Sequence, residues 1–211
     1  MFDRFRSAFQ LTSRTQEVRG NSYVPELADV NAFMDEFAGS AFSEGLYRVH
    51  TLPGAVRWTE KVGDAFPSLK GNVWAFGFDW LGRHFALSWK HLQGQELGVV
   101  MAEPGTGDVL VIPATFASFH DGTLIDQTEE ALAKQFFVEW RSSAKGRVIN
   151  ASECVGYQVP LFLGGRDNVE NLEVQDAAVY LDICGQLWSQ VKGLPPGSKI
   201  SGITVDGKRP S

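Results

Sequence analysis

Cysteine is scarce in this chain of 211 residues: Cys154 and Cys184 are the only two, and neither sits in a C-x-x-C or metal-binding spacing. That pattern points to a reduced compartment and two inert thiols rather than a disulfide framework. Long apolar runs are missing as well. No stretch approaches the roughly 20 residues that span a bilayer, and the opening Met1-Phe-Asp-Arg-Phe-Arg lacks the apolar region of a secretory signal. Positive charge is in deficit: 19 Lys and Arg face 25 Asp and Glu, a net charge of −6. A protein that grips nucleic acid needs clustered cations to displace counterions, so direct nucleic-acid binding is not expected. Catalytic signatures are absent too: there is no G-x-S-x-G, no H-E-x-x-H, no P-loop, and no G-x-G-x-x-G after a strand.

Aromatic residues are plentiful, at 12% with six Trp, within a composition that is 44% hydrophobic and 21% charged. This is the make-up of a globular domain with a sizeable core. Apolar spacing predicts a helix from about Glu26 to Ala38, with Leu27, Val30, Phe33, Met34 and Phe37 on one face and Gly39 ending it. A second is predicted from Pro53 to Ala65, capped by Thr51, with a short strand at Leu46-Tyr-Arg-Val-His between the two. From Gly71 to Ile112 the period becomes two. Trp74, Phe76, Phe78 and Trp80 alternate with smaller residues, then Phe85, Leu87 and Trp89 do the same, with turns at Gly82, Gly94 and Pro104-Gly-Thr-Gly107. Short connections imply an antiparallel meander.

A short helix is expected at Thr115 to His120. Asp126-x-x-Glu129, read as a capping box, opens a helix to about Ser143 that turns Leu132, Phe136, Phe137 and Trp140 inward. Leu172 to Val174 reads as a short strand, and Asp176 caps a last helix whose stripe includes Tyr180, Ile183, Cys184, Leu187, Trp188 and Val191. The first twenty residues, with Arg4, Arg6, Arg14 and Arg19, read as a loosely held arm. After Leu194-Pro-Pro-Gly, Ile200 to Val205 could form an edge strand before a frayed tail. The fold class is α+β: a mainly antiparallel sheet flanked by helices, with a C-terminal helical subdomain. The expected division is 22–120 and 121–194, with arms at 1–21 and 195–211.

Candidate chemistry is thin. His50, His84, His91 and His120 are scattered and expected as surface or half-buried neutral groups. Asp79 beside Trp80 is expected to face solvent at a hairpin end. No catalytic residue, metal site or cofactor site is predicted. Acidic density says more. Glu26, Asp29, Asp35, Glu36 and Glu44 fall in one stretch without Lys or Arg. So do Asp121, Asp126, Glu129 and Glu130, and so do Asp167, Glu170, Glu173, Asp176 and Asp182. Solvated helix faces and N-caps account for such runs. An anionic surface that docks a basic partner accounts for them too.

The segment Tyr157-Gln-Val-Pro-Leu-Phe-Leu-Gly-Gly-Arg-Asp-Asn-Val-Glu-Asn-Leu-Glu-Val, followed by Asp176 to Leu187, resembles the C-terminal domain of bacterial type VI secretion immunity proteins that neutralise DNase toxins. Upstream, Glu103-Pro-Gly-Thr-Gly-Asp-Val after an aromatic meander, with Phe116 in a short helix, resembles their GAD-like domain. The resemblance implies a non-enzymatic inhibitor without cofactor or membrane anchor. It would act in the cytoplasm of the producing cell and its siblings, binding a cognate nuclease effector one to one. Gly164, Gly165, Asn171 and Leu172 would then be fold determinants. Asp121, Asp126, Glu129, Glu130, Asp167, Glu170 and Glu173 are the candidate partner-binding residues, since a nuclease must present a cationic surface to DNA. Two other classes stay open at this point: an adaptor or regulatory binding module, and an enzyme or small-molecule binding protein that uses the aromatic meander as a pocket.

Overall fold

A computed structural model describes residues 1–17, 23–144 and 147–194; Arg19, the Ile200–Val205 stretch and the tail lie outside the described residues. Seven strands follow one another in chain order across a single antiparallel sheet: β1 (Leu11–Arg14), β2 (Ser40–Phe42), β3 (Tyr47–Val49), β4 (Val73–Asp79), β5 (His84–Gln93), β6 (Glu96–Glu103) and β7 (Asp108–Thr115). Three helices belong to this half: α1 (Asp3–Ala8), α2 (Ala28–Phe37) and α3 (Leu52–Ala65). The meander is the one read from the period-two pattern, and α2 and α3 fall where helical spacing put them. Thr51 caps α3 as expected, its hydroxyl accepting the Gly54 N–H at 3.0 Å.

The chain then runs through the short α4 (Phe116–Ser118), a wide turn at Phe119–Thr123, α5 (Leu124–Asp126), α6 (Thr128–Leu132) and α7 (Lys134–Ser143). A two-stranded antiparallel pair, β8 (Glu153–Tyr157) with β9 (Leu172–Asp176), and the long α8 (Ala177–Val191) complete it. The result is α+β, with helices on both faces of the large sheet. On one face Phe33, Phe76, Phe85, Phe116 and Phe119 pack into an aromatic core. On the other, Val62 of α3, Phe66 just after it and Leu181 of α8 cover Val73, Ala75, Ala86 and Val100. The larger core is continuous from Phe2 to Leu172. Among the described residues no helix is long and apolar enough to cross a membrane.

Several expectations are corrected. The N-terminal segment is not a loose arm. Its Phe2, Phe5 and Phe9 are buried, Phe5 lies 5.4 Å from the Phe33 ring, and β1 extends the sheet beside β2. Spaced Phe residues in so short a helix give too weak a periodicity to be read locally. The helix expected from Asp126 to Ser143 is broken. Ala133 takes a left-handed conformation (φ 48°) between α6 and α7, and Asp126 caps nothing. At the break, the Trp80 indole N–H donates to the Leu132 carbonyl (2.9 Å), and Arg83 donates to the Ala131 carbonyl (3.1 Å). The sheet thus takes carbonyls from the end of α6, a tertiary demand that local pattern does not carry.

Strict alternation along β4 also fails. Ala75 pairs with Ala86 but Gly77 pairs with Phe85, so one residue is bulged out between them. A bulge shifts side-chain parity. Trp74 and Phe76 therefore stay in the large core, while Phe78 turns to the α3 side, which its partner His84 already faces by the regular alternation of β5. Trp89, beyond an irregularity in the β5–β6 pairing, is 42% exposed rather than inward.

Candidate functional site

Seven carboxylates were singled out as a partner surface, and the fold uses them unequally. Asp121 is half-buried, and its Oδ1 accepts the Phe5 N–H at 2.9 Å. Asp126 pairs with Arg4, whose guanidinium also donates to the Asp121 carbonyl. This pairing holds the Asp126 carboxyl below its usual range. The arginines of the N-terminal segment neutralise neighbouring acid further: Arg6 pairs with Glu36 at 2.8 Å. Glu44 is taken by Arg141, and Asp182 by Lys61. The Arg-rich start, separate in sequence from the acid-rich stretches, thus takes up two of their carboxylates, Asp126 and Glu36.

What remains open to a partner is narrower. Glu129 accepts the Gln135 N–H (2.8 Å) across the α6–α7 break and stays exposed. Glu130, Glu170 and Glu173 are exposed, and Asp167, also exposed, accepts the Tyr157 hydroxyl at 2.7 Å. The turn that carries Glu170, Val169–Asn171, packs on α7, which follows directly on the helix bearing Glu129 and Glu130. The two acidic stretches therefore flank a common helix.

The loop between β8 and β9 is built as a rigid support for that surface. Asn171 clamps it: its side-chain amide donates to the Val159 and Arg166 carbonyls (both 2.9 Å), and its Oδ1 accepts the Val159 N–H (3.0 Å). Gly164 sits at φ 87°, and a Cβ on Gly165 would lie 1.8 Å from the Val159 carbonyl oxygen. Leu172 is buried in the large core. These four residues hold the loop closed and need no catalytic explanation.

The buried polar residues are arranged differently from expectation. Asp79 is fully buried, not solvent-facing. Its Oδ2 receives Arg83 Nε at 2.6 Å, and its Oδ1 accepts the Leu81 and Arg83 N–H groups, closing the β4–β5 turn. Burial pushes the Asp79 carboxyl up against the pull of Arg83. His50, His84 and His120 are buried too, rather than at the surface. His120 Nδ1 donates to the Phe116 carbonyl (2.9 Å), which leaves Nε2 to accept from the Tyr47 hydroxyl (2.8 Å). Burial depresses all three imidazoles, His84 and His120 to about 3. Cys154 and Cys184 are free, buried thiols, and burial pushes the Cys184 thiol up to about 12. Among the described residues no group of three or more His, Cys, Asp or Glu could hold a metal ion.

Known proteins bear on this arrangement in two ways. The overall fold is similar to the crystal structure of Atu4351 from Agrobacterium tumefaciens, with a TM-score of 0.57 over 88% of this chain and 89% of that one, at 16% identity. At that identity the likeness concerns the fold alone. No curated protein matches the chain. Residues 120–188, which span α5 to α8 with the β8–β9 pair and the Asn171 clamp, match the family described as T6SS immunity protein Tdi1, C-terminal. Over residues 120–188 the chain is thus similar to the T6SS immunity protein Tdi1 C-terminal family.

Proposed function

We propose that this chain is an immunity protein that binds and inhibits a cognate nuclease effector of a type VI secretion system, in the cytoplasm of the producing cell and its siblings. The family match over residues 120–188 carries the reading. In this reading the chain performs no reaction of its own and covers the effector one to one. Residues 22–120 serve as a GAD-like scaffold, and residues 121–194 present the recognition face.

Charge supports this assignment. A nuclease needs a cationic surface to hold phosphates. This chain carries a net charge of −6 and exposes Glu129, Glu130, Glu170 and Glu173 around α7. Complementary charge speeds encounter and selects partners more than it sets final affinity. Asp121, Asp126 and Asp167 act on the same face indirectly, since each is engaged inside the fold.

The test is co-expression with the effector encoded beside this gene. Survival with intact host DNA is the expected result; killing despite folded, soluble immunity protein would overturn the reading. For the surface, Glu129→Lys, Glu130→Lys, Glu170→Lys and Glu173→Lys combined should slow association by about tenfold or more at low salt and far less at high salt. An unchanged association rate at low salt would remove this face from the interface.

A further inference from the structure

The bulge in β4 has a second effect on the opposite side of the sheet. Phe78 is turned toward α3, where it meets His84, His50 and Trp58 in a stacked group of rings. His50 lies beside both Trp58 (centroids 5.4 Å, planes 13° apart) and Phe78 (5.2 Å, 14°), which are themselves 5.8 Å apart. The Arg48 guanidinium sits 4.5 Å from the Phe78 ring centre. Beside this stack a cleft of about 340 Å³ opens between β1–β3, the first half of α3, the loop at Ala151–Ser152 and the start of α8. That volume lies in the range of small-ligand sites, about 300–1,000 Å³.

The cleft's charge runs against that of the whole molecule. Its described charged residues are Arg48, Arg57 and Lys61 against Glu17, in a chain of net charge −6; Glu17 pairs with Arg57 (2.9 Å), and Lys61 pairs at 2.9 Å with Asp182 of α8, so Arg48 is the cation left without a carboxylate. Arg48 is 3% exposed and donates only to backbone carbonyls, those of Gly45, Asn150 and Glu153; it forms no ion pair with a carboxylate among the described residues. Burial lowers it only to about 10, so it stays a cation at neutral pH. A buried cation without a counter-charge is costly. His50, 4% exposed, also lines the cleft, and its Nε2 has no hydrogen-bond partner among the described residues. Buried polar atoms are rarely left unsatisfied without a reason. Trp58 is half-buried and leaves part of its ring open to the cleft.

We propose that this cleft binds a small organic anion: a phosphate or carboxylate drawn by the uncompensated Arg48 and received by Arg57 and Lys61 in exchange for their exposed pairings with Glu17 and Asp182, with His50 Nε2 as a further polar contact, carried on a planar ring that lies against Trp58. The basic surface of a nuclease would be repelled here, so the site is separate from the acidic face and does not depend on the toxin reading.

Calorimetric titration of the full chain with adenosine 5′-monophosphate, benzoate, adenosine and inorganic phosphate tests it. At least one of the ring-bearing anions should bind once per chain. Adenosine, which lacks the charge, and phosphate, which lacks the ring, should each bind at least about tenfold more weakly. The monophosphate and benzoate arms separate a phosphate ligand from a carboxylate one. Arg48 supports three backbone carbonyls, so its replacement threatens the fold. Arg57→Ala with Lys61→Ala, both on the outer part of α3, should instead weaken binding at least about tenfold. Imidazole ¹⁵N signals of His50 should shift on titration while those of His120 stay fixed. The proposal is overturned if neither anion binds at millimolar concentration, or if phosphate or adenosine binds as well as the ring-bearing anion. It is overturned equally if the double variant binds unchanged or the His50 signals do not move.

Discussion

The Arg4 guanidinium grips the Asp126 carboxylate at two points, Nη2 to Oδ1 at 2.6 Å and Nη1 to Oδ2 at 3.1 Å, across 122 positions of sequence. The pair fastens the outer side of α1 to the helical segment that begins the family-matched region. Its stabilising power is small, because both groups are solvent-exposed and such pairs are screened. Anchorage comes from the inner side, where Phe5 is fully buried among Phe9, Phe33, Phe37 and Phe42.

Phe5→Ala should therefore cost about 3–5 kcal/mol, while Arg4→Ala leaves the denaturant midpoint almost unmoved. Equilibrium urea unfolding of the two variants measures the contrast. Equal, small losses would mean that α1 is dispensable to the core.

The buried histidines predict acid sensitivity with a defined direction. His84 and His120 are held down to about 3 in the fold against 6.5 when free, so the unfolded chain binds more protons at every pH between those values. Stability is full above pH 6.5 and falls as pH drops, by about 1.4 kcal/mol per unit for each such histidine. Asp79 opposes this, because burial raises its carboxyl in the fold and the folded chain takes up that proton first. Thermal unfolding between pH 7.5 and 5 should show the decline. His84→Gln should flatten the slope; a slope as steep as the parent's would exclude His84 as a contributor.

Asp79 and Arg83 form a buried pair that also closes a hairpin, so their removal should be strongly non-additive. Arg83→Met alone leaves Asp79 buried without its counter-charge and should cost about 3–5 kcal/mol. Joining it to Asp79→Asn should recover part of that loss. Chemical denaturation of the double-mutant cycle gives the coupling, and a coupling near zero would contradict the geometry.

In the β8–β9 loop the two adjacent glycines should differ. Gly164→Ala meets open space but must hold φ near 87°, a strain of about 1–2 kcal/mol. Gly165→Ala drives a Cβ into the Val159 carbonyl and requires the Asn171 clamp to open. Hydrogen exchange at Val159 and Asn171 should rise sharply in the second variant and little in the first.

Local pattern carried the elements whose signal is local. The meander was legible because turn residues and period-two apolar positions coincide from Gly71 to Ile112. Thr51 and Asp176 were legible as caps because a cap depends on the next three residues. What escaped was set by distant partners. The left-handed Ala133 answers to Trp80 and Arg83, and the burial of Phe2 and Phe5 answers to Phe33 and Phe116. The one available hint of the β4 bulge was Gly77, a glycine in mid-strand. That bulge also hid the full ring stack, since Phe78 joins His50, Trp58 and His84 only once its side-chain parity has shifted. Acidic density was legible, but not how much of it the Arg-rich start would consume.

The packing of Phe2 on Phe116 and His120 has a consequence for the nascent chain. Translation makes Phe2 more than a hundred residues before Phe116 and His120, although Phe33, its other neighbour, follows much sooner. Contacts so distant along the chain slow folding. Ribosome-associated chaperones therefore have a window in which to hold this segment, and synthesis that halts before residue 116 leaves Phe2 with Phe33 but without the rest of its cover.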